Sequence, residues 1–184
     1  MAPMPDAVAG PEERPLAIEG ARLLVLEPVV DDRGAFMEGW REDWAPGFRP
    51  VQSNLSWSEE NVLRGLHFHR HQADVWNVVS GRARIGLVDL RPGSATRLAT
   101  SVIEVDTDEE RVCLLIPPGV AHGFYARSAM LLHYLVDRAY DGSDELGLAW
   151  NDPDVGLTWP TERPLLSERD RSNPALADAL RLLG

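Results

Sequence analysis

Three of the chain's five histidines fall within five positions, in the stretch RGLHFHRHQADVW at residues 64–76. Imidazole changes charge near neutral pH and is also the commonest nitrogen ligand of transition metals, so such a cluster can move protons or hold an ion. His67 and His69 share parity, and if LHFH is a strand they face the same side. His71 joins them only if the strand continues. An acid, Asp74, and a glycine, Gly81, follow. A fourth histidine, His122, closes the run PPGVAH, and the fifth, His133, precedes Tyr134 in LLHYLV. On an alternating strand Tyr134 points inward with Leu132, and His133 points the other way, to the surface or to an interface. A metal cage, an acid/base site and ordinary polar strand residues all remain open at this point.

Composition narrows the chemistry. The chain has 184 residues with 44% apolar content, enough for one folded domain. Its net charge of −11 argues against nucleic acid as the main partner. All 18 basic residues are arginine, so there is no Schiff-base lysine, no lysine general base and no lysine to grip a phosphate. Any phosphate falls to arginine, whose planar fork suits it. No apolar run approaches the roughly 20 residues a membrane span needs. The opening MAPMPDAVAGPEERP does not read as a signal peptide, and residues 1–15 are expected to be a disordered leader before a single domain at 16–184. A lone cysteine, Cys113, sits in the apolar run VCLLI; it reads as core filler in a protein of the reducing cytoplasm.

The elements that must position these groups are mostly strands. ARLLVLEPVV, VLRGLHFH, DVWNVV, RARIGLVDLR, TRLATSVIEV, RVCLLI and AMLLHYLVD are extended apolar runs, separated by turn signals such as DDRG, SG, DLRPGS, TDEE and PPG. In RARIGLVDLR, Ala83, Ile85 and Leu87 alternate with Arg82, Arg84 and Gly86. Only the tail NPALADALRLL reads as a helix, with Asn173 as N-cap and Pro174 at the first helical position. Seven or more short strands at this spacing predict an all-β sandwich or closed double sheet, with a jelly roll the first choice; such a barrel holds ligands between its sheets.

The spacing His67-x-His69, then Asp74, then Gly81 resembles the first sequence motif of the cupins, with aspartate in place of glutamate. Pro117, Gly119 and His122 resemble the second motif, although Ala126 stands where its asparagine would be. That likeness implies His67, His69, Asp74 and His122 as a possible ligand set for a divalent transition metal.

A longer likeness implies a different use of the same pocket. DDRGAFMEGW, VQSNLSWSEENVLRGLHF, VVSGRARIGLVDLR, IPPGVAHGF, YLVDRAYDGSDELGLAWNDPDVGLTWP and LSERD resemble, in order, blocks of the dTDP-4-keto-6-deoxyhexose 3,5-epimerases, across residues 22–176. These are cupins that need no metal or other cofactor. The resemblance implies a jelly roll with a short C-terminal helix, a homodimer whose N-terminal strand pairs with the partner's sheet, and a dTDP-linked keto-deoxysugar as substrate. It implies His67 as the base that takes the proton beside the C4 ketone, Asp170 as the partner that orients it, and Tyr134 as the acid on the opposite face. It further implies Arg64 at the pyrophosphate and Gln52, Asn54 and His122 along the sugar nucleotide. Tyr140 and Glu145 are implied near the base and deoxyribose. Arg33, Phe36 and Glu38 are implied to reach the nucleotide across the dimer interface.

Two positions depart from that family. Counting back from Gly81 places Asp74 where the family carries the lysine credited with stabilising the enolate, and His69 where it usually carries glutamine. At 4 Å and an effective dielectric of 20, one such charge interaction is worth about 4 kcal/mol, so the change from cation to anion is large. Three expectations follow: an epimerase in which arginine or His69 serves the enolate, a metal-dependent site on the four ligands, or a pocket that binds a sugar nucleotide without turnover. The first is the leading expectation. The second conflicts with it at one atom, since a metal-bound His67 nitrogen cannot also accept the substrate proton.

Overall fold

The computed structural model describes residues 10–183. In chain order the strands are β1 (Glu12–Arg14), β2 (Arg22–Leu26), β3 (Val29–Asp31), β4 (Gly34–Phe36), β5 (Gln52–Ser58) and β6 (Leu63–Phe68). There follow β7 (Asp74–Ser80), β8 (Arg82–Asp89), β9 (Thr100–Asp106), β10 (Arg111–Ile116), β11 (Val120–Ala126), β12 (Met130–Val136) and β13 (Leu146–Gly147). Two short helices, α1 (Glu168–Arg171) and α2 (Leu176–Arg181), close the chain. Six strands form one antiparallel sheet in the order β1-β2-β10-β7-β12-β5, and five form a second in the order β13-β6-β11-β8-β9. The protein is the expected all-β jelly roll.

Alternation explains which faces meet. Ala83, Ile85 and Leu87 of β8 turn inward against Trp76, Val78, Leu114, Phe124 and Leu132, which make the inter-sheet core. Each fully buried aliphatic side chain there contributes on the order of 1.5–3 kcal/mol. The outer face of β9 stays in water, so that strand alternates cleanly. β8 and β11 do not, because the chain from 146 onward covers their outer face. Val88, Leu90 and Ala121 pack there with Leu148, Val155, Leu176 and Ala179. All seven residues of β11 are buried. A strand covered on both faces has no polar alternation, which is why VAHGFYA reads as a motif rather than a strand in the sequence. On the other sheet Met37, Trp40, Trp44 and Phe48 cover Leu24, Val75 and Cys113. Cys113 is buried as expected, and burial pushes its thiol up to about 12.

Two local features differ from the sequence expectations. Residues 1–9 of the expected leader lie outside the described residues, but Glu12–Arg14 is ordered as β1 because its register places it beside Leu23, Leu24 and Val25 of β2. Within the chain this first strand takes the outer edge of the six-stranded sheet, beside β2. The tail helix starts later than expected, with Ala175 at the N-cap position. Its orphan Leu176 N–H is satisfied by the Asp152 carboxylate at 2.8 Å, a cap supplied from a distant loop, so Asn173 is free to donate its amide to the Leu66 carbonyl at 3.4 Å.

Candidate active site

A cavity of about 620 Å³ opens between the two sheets. This is ample for a small-molecule ligand. The larger sheet lines it with Gln52 and Asn54 of β5, Asp74 and Trp76 of β7, and Leu132 and Tyr134 of β12. The smaller sheet contributes Arg64 and His67 of β6 and His122 and Phe124 of β11. Residues of the segment 138–145 and of the LSERD turn complete the wall.

Arg64 and His67 are three residues apart, and on a regular strand they would face opposite ways. Both line the cavity because β6 carries a bulge: His122 pairs with His67, but Phe124 pairs with Arg64, so three steps on β6 match two on β11. Gly65 makes this possible. Its φ is +125°, and a Cβ there would stand 2.7 Å from the Gly123 Cα.

His67 Nε2 donates to Asp170 Oδ1 at 2.6 Å, joining residues 103 positions apart. Asp170 is 4% exposed and lies in α1, whose N-cap, Ser167, accepts from the Asp170 N–H at 3.0 Å. The Ser167 hydroxyl in turn donates to Asp170 Oδ2 at 2.8 Å. Burial alone would raise the Asp170 carboxyl, but the hydrogen bonds from His67 and Ser167 outweigh it and hold the group below the usual carboxylate range. With Nε2 committed to Asp170, a neutral His67 ring keeps a lone pair at Nδ1. Tyr134 faces the same cavity from the opposite sheet, half-buried. Burial raises its phenol, and the negative charges of Asp74 and Glu145 raise it further, so it is protonated at neutral pH. His133 points away from the cavity, as expected, toward Ser53 Oγ at 2.9 Å.

His69, Asp74 and His122 form a separate group, with ligand atoms within 4.8 Å of one another. Asp74 is 3% exposed and accepts from Gln72 Nε2 at 2.8 Å and Trp76 Nε1 at 3.1 Å. Burial pushes His122 down to about 4, against the opposing pull of Asp74, so its ring is neutral. His67 is not part of this group, and the expected four-ligand set is thereby corrected: its Nε2 is taken by Asp170.

The other expected binding residues divide in two. Gln52, Asn54, Arg64, Tyr140 and Glu145 all line the cavity. Gln52 donates to Asn54 Oδ1 at 2.8 Å and accepts from the Tyr140 N–H at 3.1 Å, which leaves the Tyr140 ring largely exposed. Glu145 is ion-paired with Arg169. Arg33, Phe36 and Glu38 do not reach the cavity of their own chain. β3 and β4 form a two-stranded ribbon bonded to neither large sheet, with Arg33 paired to Asp31 and Glu38 to Arg41. Sequence reasoning missed Ser167, Arg138, Asp144 and Arg169, which also line the wall. For Ser167 a signal exists, since Ser167-Glu-Arg-Asp170 has the spacing of a helix-capping box.

A family model described as dTDP-4-dehydrorhamnose 3,5-epimerase matches residues 15–178, nearly all of the chain. The chain belongs to this family. A dTDP-4-dehydrorhamnose 3,5-epimerase of Methanothermobacter thermautotrophicus is 36% identical over 166 residues, covering 85% of this chain and 89% of that protein. A dTDP-4-dehydrorhamnose 3-epimerase of Streptomyces niveus is 38% identical over 175 residues, covering 90% and 84%. Among solved structures, NovW, a 4-keto-6-deoxy sugar epimerase from the novobiocin cluster of Streptomyces spheroides, superposes with a TM-score of 0.86. It is 35% identical and covers 97% of this chain and 94% of that one. ChmJ, a 3'-monoepimerase of Streptomyces bikiniensis solved with dTDP-quinovose, has a TM-score of 0.84, is 32% identical and covers 91% and 89%. Family membership makes the protein a sugar-nucleotide epimerase by class, and the relatives include both single and double epimerases.

Proposed function

We propose that the protein epimerises a dTDP-linked 4-keto-6-deoxy sugar by removing a proton beside the C4 ketone and returning one to the opposite face. The observation that carries this reading is the placement of a carboxylate-supported imidazole and a protonated phenol on opposite sheets of one cavity. His67 Nδ1 takes the carbon-bound proton, and the C–H electron pair moves into an enolate. Asp170 holds the imidazolium that forms. Tyr134 then donates its phenolic proton to the other face of the same carbon. Every proton donor and acceptor in these steps is a side chain, so the proton transfers themselves call for no cofactor.

Arg64 suits the diphosphate, with Gln52, Asn54, His122, Tyr140 and Glu145 along the rest of the ligand. Arg33, Phe36 and Glu38 reach a nucleotide only from a second copy of the chain, and a homodimer would supply them. Exposed apolar side chains support that assembly: Val30 is 73% and Phe36 65% exposed on the ribbon, and Trp57 66% on the outer face of β5. Among the described residues no helix is long and apolar enough to cross a membrane. Together with the single buried thiol, this fits work in the cytoplasm on a soluble sugar nucleotide.

The test is NMR of dTDP-4-keto-6-deoxyglucose with the purified protein in D₂O. Deuterium at C3, at C5 or at both is the expected result and names the specificity, and His67→Ala abolishes it. A substrate that binds with no exchange at either carbon would overturn the reading.

A further inference from the structure

Five carboxylates line the cavity, against three guanidinium groups, those of Arg64, Arg138 and Arg169. A diphosphate brings further negative charge into this wall, so it is held only where a guanidinium is still free to meet it. Most of the charge on the segment 138–145 is already committed. Glu145 is ion-paired with Arg169. Asp141 accepts from the Ser143 N–H and hydroxyl at 2.8 and 2.7 Å. Asp144 accepts from the Arg70 and His71 N–H groups at 2.9 and 3.1 Å and pairs with the Arg70 guanidinium. Arg138 is the exception. It lines the cavity and is exposed, and among the described residues its side chain has no hydrogen bond or ion pair.

The backbone that carries this free side chain is anchored on both flanks. The Asp137 N–H donates to the Ala73 carbonyl at 3.3 Å, and the Asp137 carboxylate accepts from the Ala73 N–H at 2.8 Å. Two residues beyond Arg138, the Tyr140 N–H donates to Gln52 Oε1 at 3.1 Å. Arg64 stands on the other wall, on β6, bonded only to neutral groups: the Ser58 hydroxyl at 3.0 Å and the Trp57 carbonyl at 3.1 Å. The cavity therefore holds two guanidinium charges that no carboxylate offsets, one at the end of β12 and one on the facing sheet.

We propose that Arg138 binds the diphosphate of the sugar nucleotide from the segment 138–145, while Arg64 holds it from the opposite wall. The role rests on the sugar-nucleotide reading above and adds a second cation to it. A guanidinium makes paired, charge-assisted bonds to phosphate oxygens, and a diphosphate offers two phosphoryl groups, one for each arginine. The chain has no lysine that could share the task.

The test is calorimetric titration of the full-length protein with dTDP. Arg138→Gln should raise the dissociation constant by roughly 10- to 30-fold, toward the low end for hydrogen bonds to charged groups because the site is open to water. The gap between parent and variant should narrow at high salt, since an exposed charge contact is screened. Arg97→Gln removes the same charge from an exposed arginine outside the cavity and should bind dTDP as the parent does. Arg138→Gln binding as tightly as Arg97→Gln overturns the assignment. So does a loss of equal size at low and high salt, the mark of a disturbed segment rather than a missing phosphate contact. The titration involves no turnover. Binding that depends on Arg138, without proton exchange at C3 or C5, sinks the epimerase reading alone. Exchange together with dTDP binding indifferent to Arg138 sinks the phosphate contact alone, and a parent protein that ignores dTDP sinks both.

Discussion

Replacing Asp170 by asparagine tests the catalytic reading at its most specific point. At the observed 2.6 Å and an effective dielectric of 20, the attraction between Asp170 and a protonated His67 is worth about 6 kcal/mol. Cavity water screens part of this, leaving about 3 to 4 kcal/mol, or roughly 100- to 1,000-fold in rate. The Ser167 hydroxyl adds a second effect. It donates to Oδ2, so the asparagine oxygen stays on the serine side and the amide nitrogen faces His67. That amide donates to Nε2, which drives the imidazole proton onto Nδ1 and removes the lone pair that takes the substrate proton. Deuterium wash-in to dTDP-4-keto-6-deoxyglucose should therefore slow by roughly 100-fold or more, with KM unchanged. A loss smaller than about tenfold would refute the dyad. The same variant has a signature in stability. The Asp170 carboxyl titrates lower in the folded state than its unfolded value of about 3.9, so its contribution is complete above that pH and is lost as the pH falls through the folded value. Acid melts of Asp170→Asn should accordingly be flatter than those of the parent below about pH 4.

Tyr134→Phe should keep solvent exchange on the His67 side while formation of the inverted sugar drops by roughly 100-fold or more, since only the returning proton is lost; equal loss of both signals would remove Tyr134 from the role. Gly65→Ala should destabilise the fold by about 2 to 5 kcal/mol in urea unfolding, because the new Cβ combines a left-handed φ with a backbone collision. A change under about 1 kcal/mol would show that the β6 bulge relaxes freely. Cys113 should resist alkylation at pH 8 until the protein unfolds, its thiol being buried and pushed up to about 12; rapid native-state labelling would contradict that burial.

Much of this molecule can be read along the chain. Periodicity in RARIGLVDLR and MLLHYLV announces half-buried strands, because side chains alternate faces whatever the rest of the fold does. Turn residues between the strands mark the jelly roll, and parity alone correctly turns Tyr134 inward and His133 outward. The ordered sequence blocks identify the family, and with it a reaction class that no single spacing supports.

Other features depend on contacts between distant segments. Strand β11 lacks a periodic signal because a covering layer from residues 146–183 hides its outer face. The cap of α2 comes from Asp152, 24 residues before Leu176, so local capping rules place the helix start at the wrong residue. At the site the division is sharper. The histidine cluster and Asp74 are legible as metal-like or acid/base-like residues, and nothing local chooses between the two. The choice rests on a bulge at Gly65 that rotates Arg64 into the cavity beside His67 and on Asp170 arriving from 103 positions away to claim Nε2. Which partner a ring nitrogen meets is a property of packed geometry, and a one-residue shift in register reverses it. The sequence therefore determined the strands, the residue types and the family; tertiary structure alone divided three of the histidines into one bonded to Asp170 and two that face Asp74.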